Sequence, residues 1–331
     1  MSYLFITGFH TFSEVVDIKL IKDWPRDKLV KQVLRVQERT ALNLPRKEDF
    51  ARLPNIDYFA KIEPHDACVG GDHLAIIDFK NYLVNDTYTI ADMARDARKS
   101  GRHDYAATLE GNLDAMGIWI ADAQGHDISA SIPNTYLHGQ FQIGIDYELF
   151  LHAQITADFF RRMNRKFYNW LQAEYLIVKP YVTMLYGEIH NDGRFRFIPL
   201  GHPGPAIFSN KYDKLVHLSS DAFDSSTPLG VLPSEYHADT QNFDTQHHMT
   251  KANFPVNEIT LLGMGDILIL YTDGLTEQKN GEMNFYESRL EQVLKKAKTG
   301  TAKEIYANIR EELESYCPPS DDLTMVVIKK M

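Results

Sequence analysis

The spacing of apolar residues along the chain changes between two periods, and these changes predict the order of its secondary-structure elements. Short apolar runs bounded by Gly, Asn or Asp predict strands, at residues 56–62, 74–79, 116–121, 181–189, 194–200, 206–209, 215–219, 267–271 and 325–328. Apolar residues three and four positions apart predict helices, at residues 128–143, 156–173, 286–297 and 302–316. Many strands with helices grouped in pairs indicate an α+β fold of packed layers with mainly antiparallel sheets.

Local signals support several of these boundaries. Asn191-Asp192-Gly193 separates two predicted strands and predicts a hairpin turn. Thr301 and Glu304 have the spacing of a capping box and predict the start of the last helix. Residues 80–115 are polar and contain a short segment, 92–99, that predicts a solvated helix.

The first 45 residues differ from the rest of the chain. Two strand-like pieces precede Trp24-Pro25, and Pro suits the first turn of a helix. Leu29, Val33 and Val36 would form the apolar stripe of that helix. We therefore predict an N-terminal regulatory or linker segment at residues 1–45 and a main domain at residues 46–331.

Composition and charge narrow the class of protein. The chain has 331 residues, of which 44% are hydrophobic and 24% charged, as is usual for a soluble globular protein. Its formal net charge of −10 disfavours binding to nucleic acid or to an anionic membrane through a global field. Cys68 and Cys317 have no metal-ligand spacing, which fits a reducing compartment. No apolar run approaches the roughly 20 residues that span a bilayer, and the N-terminus lacks the layout of a signal peptide. We expect a cytoplasmic protein.

Acidic residues recur where a turn meets a strand, at Asp72, Asp122, Asp273 and either Asp321 or Asp322. Taken one at a time, each is better explained as an ordinary turn residue, because Asp is common in turns. Gathered together, carboxylates would repel one another unless divalent cations lay between them, and hard oxygen ligands favour Mg²⁺ or Mn²⁺. Two such ions about 3.5–4 Å apart can hold a bridging hydroxide and bind a phosphoryl oxygen.

Short motifs rich in Gly, Asp and Pro follow one another along the chain. They are Gly70-Gly71-Asp72, Ala121-Asp122-Ala123-Gln124-Gly125-His126, Leu200-Gly201-His202-Pro203-Gly204-Pro205, Pro228-Leu229-Gly230-Val231-Leu232-Pro233, Gly265-Asp266 with Tyr271-Thr272-Asp273-Gly274-Leu275-Thr276-Glu277, and Asp321-Asp322-Leu323-Thr324. In this order they resemble the bacterial PPM-type serine/threonine phosphatases of the SpoIIE/RsbU class. The resemblance covers roughly residues 46–331.

The resemblance implies a fold and a set of site residues. The fold would be a PPM phosphatase-like α-β-β-α sandwich, with two mainly antiparallel sheets flanked by helix pairs. Asp122 would bridge a pair of Mn²⁺ or Mg²⁺ ions. The complete implied set is Asp72, Asp122, Asp273 and Asp321 as catalytic metal ligands, the Ala123 carbonyl as a backbone ligand, and Asp322 as the alternative to Asp321.

The resemblance also implies an activity and partners. The activity would be metal-dependent hydrolysis of phosphoserine or phosphothreonine on a protein, such as an anti-sigma-factor antagonist, in partner-switching or stress signalling. An upstream regulator and a homodimer through the helices after the second motif would be its other partners. We expect direct in-line attack on phosphorus by a hydroxide that bridges the two ions. No obvious nucleophile motif is present, and none is needed for this reaction.

Two departures from the family pattern leave alternatives open. Asp127 stands where family members usually have Gly, and 122 − 72 = 50 positions separate the first two motif acids, an interval longer than usual. Residues 80–115 are therefore expected to be an insertion beside the site, serving as a lid, a partner surface or an inhibitory element. The main alternative function is a catalytically weak PPM-like module that binds a protein.

A second alternative comes from three His-Asp dipeptides, at residues 65–66, 103–104 and 126–127. They are compatible with a His/Asp phosphohydrolase. That kind of site is built on helices, whereas two of the dipeptides lie at predicted strand edges, and this alternative is the weaker one.

Overall fold

The structure is a computed structural model, and it describes residues 53–65, 70–84, 87–125, 130–173, 179–216, 218, 223–234, 254–260 and 263–331. The predictions for residues 1–45, for His126 and for Asp127 lie outside these residues.

The described residues form fourteen strands. In chain order they are β1 (Ile56–Glu63), β2 (Asp72–Asp78), β3 (Leu83–Val84), β4 (Tyr88–Thr89), β5 (Ala115–Ala123), β6 (Val182–His190), β7 (Arg194–Leu200), β8 (Ala206–Ser209), β9 (Lys214–Val216), β10 (Asn257–Thr260), β11 (Ile267–Tyr271), β12 (Lys279–Asn280), β13 (Met283–Asn284) and β14 (Leu323–Lys330). Sheet I has the strand order β1-β14-β11-β8-β9, and sheet II has the order β10-β7-β6-β5-β2. Their neighbouring strands pair antiparallel. Two small hairpins, β3-β4 and β12-β13, complete the list.

Helices cover the outer faces of both sheets. They are α1 (Ile90–Lys99), α2 (His103–Asn112), α3 (Ser131–His152), α4 (Ala157–Ala173), α5 (Phe285–Ser288), α6 (Leu290–Ala297) and α7 (Ala302–Tyr316). Side chains of α3 and α4 share a core with sheet II, and those of α6 and α7 share one with sheet I. The layers therefore follow the predicted order, helices, sheet, sheet, helices, and the α-β-β-α sandwich is confirmed. Within the described part of the chain, no helix has the length and apolar character that crossing a membrane requires.

A third core lies between the sheets, and the period of two in each strand decides which residues enter it. In β5, Ile118 and Ile120 face this inner core, whereas Trp119 and Ala121 face the helices. The same alternation directs even-numbered residues of three other strands inward. These residues are Leu74 and Ile76 of β2, Leu268 and Leu270 of β11, and Val326 and Ile328 of β14.

Residues 80–115 leave the sandwich at the end of β2 that is remote from Asp72. Asp78, the last residue of β2, pairs with Met116, and Asp72 pairs with Asp122 at the other end of the same two strands. At about 3.3 Å per residue, the two ends of β2 are about 20 Å apart. The expectation that this segment lies beside the site is therefore wrong.

The segment packs instead against the C-terminal end of α3. The Tyr105 hydroxyl of α2 lies 2.8 and 2.7 Å from the carbonyl oxygens of Leu149 and Phe150, which share its one proton. The predicted solvated helix, α1, buries one face, which includes Met93 and Ala97. The sequence analysis did not predict this buried face, because the face is short and made partly of alanine.

Candidate active site

The first two motif acids lie side by side at one end of sheet II. Asp72 opens β2 and is the pairing partner of Asp122, the penultimate residue of β5. Both positions are even-numbered, so the strand alternation directs their side chains into the layer between the sheets, toward sheet I. Both residues are half-buried.

Sheet I brings two further acids to the same end of the sandwich. Asp273 begins a 3₁₀ turn (Asp273–Leu275) two residues after the end of β11, and Asp321 lies two residues before β14. One carboxylate oxygen from each of Asp273, Glu277 and Asp321 lies within 4.8 Å of the other two. We call these three residues the acidic cluster.

Glu277 was not among the predicted site residues. Its backbone N–H donates to the Asp273 carbonyl at 2.7 Å, which completes one helical turn after the strand. Residues four apart on such a turn lie on the same side of it. The spacing of Asp273 and Glu277 in the sequence is the signal that could have found this residue.

Burial and mutual repulsion raise the pKa values of three of these acids. Burial, followed by the charges of Asp72, Asp273, Asp321 and Asp322, raises the pKa of Asp122 to about 9. Burial raises the pKa of Asp72 to about 8, although hydrogen bonds from two threonine hydroxyls oppose the shift. The pKa of Asp273 rises to about 6, through burial and then through the charges of Asp321 and Glu277. Acids from the two sheets therefore interact electrostatically across the site.

Asp322 is used differently from Asp321. It is only 3% exposed, and its Oδ1 and Oδ2 accept the backbone N–H groups of His65 and Gly71, at 2.7 and 2.6 Å. A Cβ atom at Gly70 would lie 1.8 Å from Asp322 Oδ2, so this close approach requires glycine. Because both oxygens of Asp322 are engaged by the backbone, the geometry favours Asp321 as the ligand of this pair.

The loop around Ala123 is tied to the Gly70-Gly71-Asp72 motif. The Ala123 N–H donates to the Gly71 carbonyl at 3.0 Å. The Asn134 side chain, in the first turn of α3, donates to the same carbonyl. The role of the Ala123 carbonyl as a metal ligand stays a prediction.

His202, in the Gly-His-Pro-Gly motif, contacts β6, the strand that pairs with β5 next to Asp122. Its Nδ1 is 2.9 Å from the hydroxyl of Thr183, and Thr183 is the pairing partner of Asp122 on β6. Burial lowers the pKa of His202 to about 3, so the imidazole is neutral near pH 7. This environment suits a structural residue rather than an acid that donates a proton.

A cavity of about 230 Å³ adjoins the acidic cluster and shares Asp321 with it. Its other walls come from β1, the 3₁₀ turn and α7. They are lined by Glu63, Pro64, His65, Gly274, Gln278, Arg310, Leu313, Pro319 and Leu323. The cavity could accept a side chain next to a group held at the acids.

The donor set fits hard divalent cations. The oxygen atoms of the acidic cluster are close enough to share an ion, and Asp72 and Asp122 add carboxylates from the facing sheet. Buried carboxylates with raised pKa values are destabilised as anions, and a cation compensates that cost. Oxygen ligands of this kind select Mg²⁺ or Mn²⁺ rather than a soft metal.

Comparison with known proteins gives one family and several solved structures. The family model described as Stage II sporulation protein E (SpoIIE) matches residues 114–330, well over half of the chain. No curated protein matches the chain.

The solved structures share the fold at low sequence identity. The SiaA-PP2C domain of Pseudomonas aeruginosa is 13% identical, with a TM-score of 0.59 over 92% of this chain and 98% of that domain. The RsbU and RsbW domains of Rv1364c from Mycobacterium tuberculosis are 16% identical, with a TM-score of 0.55 over 84% of this chain. The match spans only 60% of that protein's structure. The PP2C phosphatase domain of SpoIIE from Bacillus subtilis, with a fragment of its regulatory domain, is 17% identical, with a TM-score of 0.50 over 83% and 63% of the two chains.

Proposed function

Because the chain belongs to the SpoIIE family of PP2C-type protein phosphatases, we propose that it hydrolyses phosphoserine or phosphothreonine on a protein substrate with two Mn²⁺ or Mg²⁺ ions. One observation supports this proposal most directly. Asp72 and Asp122 of one sheet lie at the same end of the sandwich as Asp273 and Asp321 of the other. Four carboxylates in one half-buried site need cations, and phosphoryl transfer is the chemistry that paired cations favour.

The residues of the chain contribute position and charge. Asp72, Asp122, Asp273 and Asp321 hold the ions, and Glu277 is placed to join them through the acidic cluster. When bound, such ions neutralise charge on the phosphoryl oxygens and lower the pKa of a coordinated water to about 7. Strand register fixes the acids of sheet II before any substrate binds, because each lies within a paired strand.

The proposed substrate is a phosphoprotein of a bacterial partner-switching or stress-signalling pathway, and the proposed setting is the cytoplasm. The presence of RsbU and RsbW domains in the similar Mycobacterium tuberculosis structure supports this class of substrate. The cavity beside Asp321 supports a protein substrate, since it offers space for a residue that flanks the phosphorylated one. An upstream regulator and a homodimer complete the proposed set of partners.

Phosphate release measures the function directly. We would incubate the wild type and Asp273→Asn with MnCl₂ and an aryl phosphate, and then with a phosphoprotein extract whose dephosphorylated members are identified by mass spectrometry. We expect metal-dependent turnover by the wild type, abolished by EDTA and reduced by more than about 100-fold in the variant, since losing even an outer-shell partner costs about 10–100-fold.

Asp78→Asn is the matched control. Asp78 is a buried aspartate at the end of β2 remote from the site, and its carboxylate accepts a hydrogen bond from the Asn81 side chain. Its substitution should leave turnover unchanged. No activity with any divalent ion, together with no metal binding by calorimetry, would contradict the proposal and favour a protein-binding module. Unchanged turnover in Asp273→Asn would contradict the assigned ligand set.

A further inference from the structure

Asp72 is the point at which side-chain hydrogen bonds join the two sheets at the site. The hydroxyls of Thr272 and Thr324 both donate to Asp72 Oδ2, at 2.8 and 2.7 Å. Asp72 belongs to sheet II, whereas Thr324 lies on β14 and Thr272 directly follows β11, both in sheet I. Both threonines are fully buried, with no exposed surface.

The backbone fixes the direction of these hydrogen bonds. The Thr324 N–H donates to Thr272 Oγ1 at 3.0 Å, and the Thr272 N–H donates to the Thr324 carbonyl at 3.1 Å. Because the Thr272 hydroxyl oxygen already accepts a hydrogen bond, its own proton is directed toward Asp72. An ionised carboxylate only accepts hydrogen bonds. Two donors at Oδ2 therefore favour the anionic form of Asp72 and leave Oδ1 for another partner.

The two threonines are also close in sequence to the acids of sheet I. Thr272 is bonded directly to Asp273, and Thr324 follows Asp321 by three residues. Holding Thr272 and Thr324 against Asp72 therefore also sets Asp273 and Asp321 relative to the acids of sheet II.

We propose that Thr272 and Thr324 are positioning residues, which orient the Asp72 carboxylate for cation binding and align the ligands of the two sheets. This inference rests on the proposed function, since it assigns Asp72 to a cation. Hydrogen bonds to a ligand from outside the coordination sphere fix its orientation, and their loss typically costs about 10–100-fold in metal affinity. Buried threonines that only filled space would not have this effect.

The test compares Thr272→Val and Thr324→Val with Thr272→Ser and Thr324→Ser. Valine keeps the shape of threonine and removes the hydroxyl, whereas serine keeps the hydroxyl. The readout is the Mn²⁺ dissociation constant from calorimetry without substrate, supported by the rise in melting temperature on adding Mn²⁺. We expect the valine variants to bind Mn²⁺ about 10–100-fold more weakly and the serine variants to stay near the wild-type value.

Thr156→Val is the control for loss of a hydrogen bond from a half-buried threonine to a buried carboxylate. The Thr156 hydroxyl donates to Glu148 Oε2 at 2.5 Å, and Glu148 is 2% exposed. This pair lies at the C-terminal end of α3, remote from the acids. The control should lower the melting temperature and leave the Mn²⁺ dissociation constant unchanged.

The outcomes separate the inference from the proposed function. A wild type that binds no Mn²⁺ would contradict the proposed function itself. A wild type that binds Mn²⁺, with valine variants that bind equally well or lose no more affinity than Thr156→Val, would overturn only the inference. If a valine variant does not fold, the alanine variant replaces it. Serine variants that lose affinity as severely as variants without the hydroxyl would also overturn the inference.

Discussion

The metal-free protein should lose stability as the pH rises from 7 to 8, and a divalent cation should reverse the loss. Burial and neighbouring acids raise the pKa of Asp72 to about 8 and that of Asp122 to about 9, from an ordinary value of 3.8. In the unfolded chain both carboxylates are ionised throughout this range. The folded state therefore binds more protons than the unfolded state, and stability falls as the pH rises.

The size of the effect follows from the number of protons held. Each extra proton bound by the folded state changes the free energy of unfolding by about 1.4 kcal/mol per pH unit. One to two protons on Asp72 and Asp122 give a loss of about 1.4–2.7 kcal/mol between pH 7 and 8. For a chain of this size, about 2 °C of melting temperature corresponds to 1 kcal/mol. The melting temperature should thus fall by about 3–5 °C.

Among the described residues, the other groups with large pKa shifts titrate mainly outside this range. Burial lowers the pKa of His73 and of His202 to about 3, so these side chains are neutral above pH 7 in the folded state, and unfolded histidines lose their protons near 6.5. Hydrogen bonds from Tyr306 and Arg310 outweigh burial at Glu63 and lower its pKa to about 2, which leaves it ionised in both states. The acids of the site therefore dominate the slope between pH 7 and 8.

Thermal melts in EDTA and in MgCl₂, at pH 7.0, 7.5 and 8.0, measure the prediction. Asp122→Asn removes one of the mutually repelling carboxylates, so it should be more stable than the wild type in EDTA at pH 8 and should gain less from Mg²⁺. Asp78→Asn, at the remote end of β2, should keep the slope of the wild type. A melting temperature in EDTA that is constant or rises between pH 7 and 8, or an Asp122→Asn variant less stable than the wild type there, would refute the reasoning.

Two further predictions concern backbone positions and a helix cap. Gly274→Ala would place a Cβ atom 1.9 Å from the Asp322 carbonyl oxygen. Urea titration should therefore show that the free energy of unfolding falls by at least about 2 kcal/mol. In the control, Gly111→Ala, the added Cβ atom meets open space within α2, so the free energy of unfolding should rise by up to about 1 kcal/mol. A control that is less stable than Gly274→Ala would contradict the steric argument. Thr301→Ala removes the hydroxyl that accepts the Glu304 N–H at the start of α7, and should cost about 1 kcal/mol by the same titration. Calorimetry should find its Mg²⁺ affinity unchanged, and a weaker affinity would show that the cap also acts on the site.

Much of the fold could be predicted from the sequence because its strands are short apolar runs with clear ends. The predicted bounds of β7, β8 and β11 match the structure, and so do those of α7. In each case a turn residue or a capping residue stands next to the apolar pattern. Where no such residue stands next to the apolar pattern, the observed bounds differ from the predicted ones. The helix predicted at 128–143 continues to His152, as α3.

The parts that could not be predicted depend on packing between distant segments. Helix α2 was missed because it buries only Ala106, Leu109 and Asn112, too few residues to show a period. The sequence left Asp322 open as the alternative to Asp321, since adjacent aspartates carry the same signal. Their difference arises from backbone N–H groups supplied by residues about 250 positions earlier in the chain.

The position of residues 80–115 explains how a long interval between Asp72 and Asp122 is compatible with a shared site. Register in β2 and β5 places these two acids opposite each other, and the connection leaves from the remote end, between Asp78 and Ala115. Residues added there change neither the register nor the face on which each acid lies. A one-residue slip within β2 would instead turn every side chain of the strand to the other face, and would move Asp72 away from sheet I. The site therefore depends on strand register rather than on sequence spacing, and an unusual interval alone gives no reason to expect an altered set of ligands.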